Sequence, residues 1–361
     1  MDQAPPEICA KIFSVACTDT GYTGQSISLV SKYIHETSGP YRLQSISLHG
    51  HDEIIAFAAL LNKTPPHLRR VRHLFISTQN RDEDDTSGYV YFSNLANKRR
   101  KAQALLASDE EGKQKKDEIM QDYDRQNAEW KERSEARQLK DQRQGPLIAA
   151  AIEHILQTVA SSLEVLEVDF EYFTSANLTR AISFPSLTDL TSHGGYPLAP
   201  SDHTGPLITP CHNLRRLHIG CTGNHVRGCH IFEQVPVLAP CLTHLRMSGL
   251  QQDGWVGGAL REALGFHQEW ATGSPVDLFP ETIERILIKP DRPPAPGGWC
   301  GTSYFEYSSL LSGTREVQEM DDRVTLLPAE TGGRRFGSLV PISERDWLNR
   351  IGGGEGCWRE K

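Results

Sequence analysis

The residues best equipped for chemistry crowd between positions 211 and 244: Cys211, His212, His218, Cys221, His225, Cys229, His230, Cys241 and His244. Thiolate and imidazole are the donors zinc prefers, and a structural zinc wants four of them in a tetrahedron, usually with paired short spacings. Here Cys221-x3-His225-x3-Cys229 offers three at loose spacing. That departs from known zinc frameworks, so no metal and no other cofactor is expected. The plainer reading is reduced core cysteines and surface histidines. His218, between Leu217 and Ile219 of an expected strand, should face away from the core. The crowd also holds the makings of a Cys/His nucleophile pair, yet nothing in the spacing sets thiol, imidazole and orienting group together. No phosphate loop, nucleophile elbow, dinucleotide fingerprint or HExxH occurs. The chain is therefore expected not to be an enzyme.

Whatever these side chains do, a recurring phrase positions them: apolar, two polar, apolar, one polar, apolar. It stands at Leu43-x-x-Ile46-x-Leu48, Val71-x-x-Leu74-x-Ile76 and Leu163-x-x-Leu166-x-Val168. It returns as Leu214-x-x-Leu217-x-Ile219, Leu242-x-x-Leu245-x-Met247 and Ile283-x-x-Ile286-x-Ile288, with a weaker copy at Leu187-x-x-Leu190-x-Ser192. The last three residues of each alternate like a strand. Helix-like stretches lie between them, over 53–61, 147–159 and 256–270. From 166 the middle residue recurs at 190, 217 and 245, in steps of 24, 27 and 28. These are leucine-rich-repeat distances of roughly 20–29 residues, which implies stacked strand–helix units in a curved solenoid with a parallel inner sheet. The fold class expected is thus α/β. The Asn or Cys of a regular repeat is missing, since Glu171, Thr222, Leu250 and Asp291 stand in its place. An irregular array without a turn-stabilising ladder follows.

Five regions result: 1–42, helical; 43–80, the first repeats; 81–145, an insertion; 146–327, further repeats; 328–361, a capping tail. Residues 97–143 carry 13 Lys/Arg and 11 Asp/Glu and few apolar residues, too few to repay ordering, so a mobile, partly helical excursion is expected. A closing strand is read at 324–327, a short amphipathic piece at 343–351, and Trp358 behind a Gly-rich stretch should dock as an end cap. Net charge is -8, which speaks against nucleic acid or an anionic membrane as partner. No stretch approaches the roughly 18 apolar residues of a span, and the start lacks a signal pattern, so the expected location is cytoplasmic or nuclear.

The first segment reads as two short helices. Pro5-Pro6 opens one, with Glu7 in its first turn favouring the dipole. Ile8, Ile12 and Phe13 recur at helical spacing; Leu29, Val30, Tyr33 and Ile34 mark the second helix, and Gly39-Pro40 stops it. Pro5-Pro6-Glu7-Ile8-x3-Ile12-Phe13, then Leu29-Val30-Ser31-Lys32-Tyr33-Ile34, then Tyr41-Arg42-Leu43 resembles the F-box. With Ala16-Cys17, Asp19, Gly21 to Gly24, Ser26, Ser28 to Ser31, Tyr41 to Leu48 and Gly356-Cys357-Trp358, the chain is similar to F-box-like proteins with degenerate leucine-rich repeats from mushroom-forming fungi. It departs from the box in Ala4 before the prolines, in Tyr33 for a Trp, and in a lengthened turn at Gly21–Gly24. The resemblance implies a substrate receptor of a cullin–RING ubiquitin ligase. A Skp1-type adaptor protein would bind through Pro5, Pro6, Glu7, Ile8, Ile12, Phe13, Leu29, Val30 and Tyr33, and the inner sheet would hold a protein substrate. The alternative is an adaptor-free repeat scaffold whose first helices are only a cap.

Overall fold

Every copy of the phrase becomes a strand. The computed structural model describes residues 4–80, 110–170, 178, 181–193, 209–220, 231–250, 253–266, 278–294, 302–329 and 340–360. Eight strands form one all-parallel sheet in chain order: β1 (Ser45–His49), β2 (His73–Ser77), β3 (Val165–Asp169), β4 (Asp189–His193), β5 (Arg216–Gly220), β6 (His244–Leu250), β7 (Arg285–Pro290) and β8 (Val324–Leu326). Their register follows the phrase itself. Ile46, Leu74, Leu166, Leu190, Leu217, Leu245, Ile286 and Val324 stand side by side across the sheet. A slip of one residue would turn this row to the other face, so the period of two holds the register. Even the weak copy pairs, with Ser192 buried in the third place.

Three short helices precede the sheet: α1 (Pro6–Ala16), α2 (Tyr22–Ile27) and α3 (Lys32–Ser38). Then come α4 (Gly50–Lys63), α5 (Glu110–Val159), α6 (Ile231–Leu238), α7 (Val256–Ala263), α8 (Thr302–Met320) and α9 (Val340–Ile351). Right-handed crossovers laid down in one direction keep all connections on one face of a sheet. Accordingly α4 to α8 bury their apolar sides with the Ile46–Val324 row in a single core. The opposite face carries no crossover helix among the described residues.

The structure adds to the expected elements. The helix expected at 147–159 is the buried end of α5, a single 50-residue helix that runs straight through the 145/146 boundary, Pro146 included. At 1.5 Å per residue it is about 75 Å long. From Ile148 it packs on the core; before Gly145 most of its described side chains are exposed. Helices α6 and α8 come in addition to the expected helices, and Tyr307, Leu310, Thr314 and Val317 sit buried along α8 at helical spacing. The strand entries carry a ladder of another kind, made by the backbone and set before the strands rather than after them. Gln44, Arg72, Glu164, Thr188, Arg215 and Thr243 each accept two backbone N–H bonds from the entry of the next strand. Side chains add to it: Ser162 donates to Val71, Ser186 to Ser161, Asn213 to Pro185 and Thr282 to Leu242, all at carbonyls. Of the places where Asn or Cys was missed, 171 and 222 lie outside the described residues.

Candidate protein-interaction surfaces

The opening segment forms three helices rather than two, because Asp19 starts a helix in what reads as a turn. Its carboxylate accepts from Gly21 N and Thr23 N, both at 2.9 Å, and caps α2 while Gly21 takes φ 101°. Ser31 caps α3 by accepting from Ile34 N. Leu29 and Val30 therefore stand in the link between α2 and α3, not on a helix. Cys9, Phe13 and Ile34 make a small core flanked by Ala4, Ile27, Tyr33 and Tyr41. The module is tied to the sheet: Gln44 Nε2 donates to Ser14 O, Ser45 Oγ to Asp19 O, and Ser47 N to Thr20 O, which covers part of the β1 edge.

Two of the residues expected to meet an adaptor face inward. Phe13 is 2% exposed and holds the helices together; Tyr33 is half-buried and donates its hydroxyl to Ala4 O at 2.6 Å. Pro5, Pro6 and Glu7 are exposed. So are Ile8 at 51%, Ile12 at 41%, Leu29 at 80% and Val30 at 70%, joined by Val15 at 72% and Tyr22 at 74%. Single exposed apolar residues are ordinary; here six large ones stand exposed on a module of some forty residues. Period alone could not separate Ile12 from Phe13, since neighbours in a helix differ by about 100° and the packing decides which turns in.

The second surface is the helix-free face of the sheet. By register, Ser47, Phe75, Glu167, Thr191, His218, Arg246, Leu287 and Thr325 form its middle row. The closing segment of the chain crosses this face from β1 to β8. On α9, Glu344 accepts from Ser47 Oγ at 2.6 Å and meets His49 Nε2 at 2.9 Å. Trp347 packs on Phe75 with ring centroids 5.9 Å apart, Ser343 bonds to Glu167, and Arg350 grips Asp189 with two bonds of 3.0 and 3.1 Å. A 3-10 turn (Gly356–Arg359) then seats Trp358 against Leu287 and Leu327. Glu360 receives Arg246 at 2.6 Å and Lys289 at 2.5 Å. Trp358 thus docks as expected but not as an end cap: it lies on the sheet face, in edge contact with His218 and His244.

Burial shapes the charges beneath this strap. It pushes the Glu167 carboxyl well above its usual range, helped by Asp346, Asp169 and Glu344. Burial lowers His244, with Arg216 adding to it. Glu360 is also desolvated, yet its bonds to Lys289 and Arg246 hold it below the ordinary value.

His218 does face away from the helix-side core, but the strap buries it and brings Cys357 Sγ within 3.6 Å of its Nδ1, while Nε2 meets Ser248 Oγ at 3.0 Å. This thiol–imidazole pair could not be read from spacing, because 139 residues separate its members. Burial drives the Cys357 thiol up to about 12, the reverse of the lowered pKa that makes a thiolate at neutral pH. Cys221, His225, Cys229 and His230 lie outside the described residues. Among the described residues no group of three or more His, Cys, Asp or Glu is set to hold a metal ion, and no helix is long and apolar enough to cross a membrane. The chain matches no family model, no curated protein and no solved structure.

Proposed function

We propose that this chain is an F-box-type substrate receptor: α1 to α3 bind a Skp1-type adaptor, and the sheet with its crossover helices is a degenerate leucine-rich-repeat solenoid that holds a protein substrate. The observation that carries the reading is the exposed set Ile8, Ile12, Leu29 and Val30 on a module whose own core is satisfied by Cys9, Phe13 and Ile34. A module that has closed its core and still presents large apolar side chains is built to lose them to a partner. In-register parallel strands recurring every 24 to 28 residues over four of the phrases support the solenoid. On this reading the chain is a cytoplasmic or nuclear binding protein and performs no chemistry itself. Titration of the purified chain with a Skp1-type adaptor tests it: saturable binding is expected, and no binding at micromolar concentration refutes it.

The bond from Ser47 N to Thr20 O favours a second reading, a helical cap that shields the β1 edge of a scaffold. A cap needs α1 to α3 but has no use for their exposed apolar side chains.

A further inference from the structure

The two faces of the sheet are buried by opposite means. Toward the helices, the row from Ile46 to Val324 is apolar and sits in one continuous core. Under the strap the chain buries Glu167, Asp189, His49, His193, His218 and Arg246. Burying charged groups is costly and needs each to be matched, so a face meant only to be covered is better made apolar. The match here is incomplete. His49 Nδ1, Arg216 NH1 and Trp347 Nε1 are buried without a hydrogen-bond partner among the described residues.

The face is also polarised along the strand order. Its β3–β4 end offers Glu167, Asp169 and Asp189; its β5–β7 end offers Arg216, Arg246, Arg285 and Lys289, with His218 and His244. The strap answers much of this pattern, placing Arg350 on Asp189 and Glu360 on Arg246 and Lys289, with Trp358 in an apolar notch of Leu287 and Leu327, although its Glu344 and Asp346 stand near the acidic Glu167.

We propose that the helix-free face is a peptide-binding surface, that residues 343–360 occupy it as an intramolecular ligand, and that the partner displacing them is a protein segment of like chemistry. That segment carries a cation for Asp189, a carboxylate for Arg246 and Lys289, and an aromatic anchor between them for the Leu287–Leu327 notch. The inference deepens the receptor reading by naming where a substrate segment binds, and it needs no adaptor. Tethering makes the strap's binding intramolecular, so a free segment competes poorly until the strap is loosened.

The probe is a labelled synthetic peptide of residues 340–360, titrated into full-length protein. Weak binding is expected for the wild type. Arg350→Ala combined with Trp358→Ala, which removes two strap anchors and leaves the face intact, should bind the peptide at least tenfold more tightly. Adding Arg246→Ala should cancel that gain. A folded double variant with no gain overturns the proposal, and so does a double variant that unfolds, which would make the strap part of the core. Hydrogen exchange of the wild type decides independently of variants. Amides of 343–351 should exchange through an opening well below global unfolding, and protection equal to that of β3 to β6 overturns the proposal. Changes on α1 to α3 should leave peptide binding untouched, so loss of adaptor binding alone counts against the receptor reading and not against this one.

Discussion

Changing Ile12 and Leu29 together to Ser should remove adaptor binding while sparing the fold. Fully burying an aliphatic side chain of this size is worth roughly 1.5–3 kcal/mol, so scaling by exposure gives about 1 kcal/mol for Ile12 and about 2 kcal/mol for Leu29. Together about 3 kcal/mol, or somewhat more than a hundredfold in Kd, should be lost. The exposed positions should cost the free chain no more than about 0.5 kcal/mol each. Phe13→Ala is the contrasting control. Its ring is buried with Cys9 and Ile34 in the module's small core, and truncating a buried Phe costs about 3–5 kcal/mol. That variant should lose adaptor binding through loss of α1 to α3 themselves, with the helix-side core of the sheet still folded. Calorimetric titration against the adaptor, with thermal melts of each protein, separates the two. An Ile12/Leu29 variant that binds as the wild type does would sink the assignment of the exposed set. A variant whose melting point falls with its binding would mean that these residues serve the fold.

Glu167→Gln tests the charge under the strap. The native carboxyl titrates well above 4.5, so the wild type is favoured below that pH and loses stability as pH rises toward the folded value, by at most about 1.4 kcal/mol per unit. The Gln variant should match the wild type near pH 4 and melt higher at pH 8; parallel curves at all pH would refute the burial argument. Two adjacent glycines of α7 should respond in opposite directions. A Cβ on Gly257 would meet the backbone of Gly313 at 2.6 Å, so Gly257→Ala should cost about 1–3 kcal/mol. Gly258 has nothing within 4 Å, and Gly258→Ala should gain up to about 1 kcal/mol in helix propensity. Urea denaturation reads both, and equal effects would contradict the close approach of α7 and α8.

What could be read along the chain is what short-range periodicity carries. Leu-x-x-Leu-x-Ile is local information: its period of two makes a strand, and its repetition makes neighbouring strands pair in parallel at one register. The strands, their order and the helix over 53–61 were legible for that reason, as was the start of the helix expected over 256–270, which ends at Ala263, with 267–270 outside the described residues. Helix α8 follows a Pro- and Gly-rich run at 290–301 that breaks the pattern, although its buried positions keep helical spacing. The docking of Trp358 was legible as a fact about a large indole that water does not favour, but not as a place. Whether Trp358 closes an end or crosses a face depends on Leu287 and Leu327 coming together, and on Arg246 and Lys289 waiting for Glu360. The same limit applied in α1. Ile12 and Phe13 are equivalent to any pattern of spacing, and only the packing of α1 on α3 turned Phe13 inward and left Ile12 in solvent. Tertiary structure decided these points because each is a choice of face or partner between elements far apart in the chain, where the free energy lies in the contact and not in the segment.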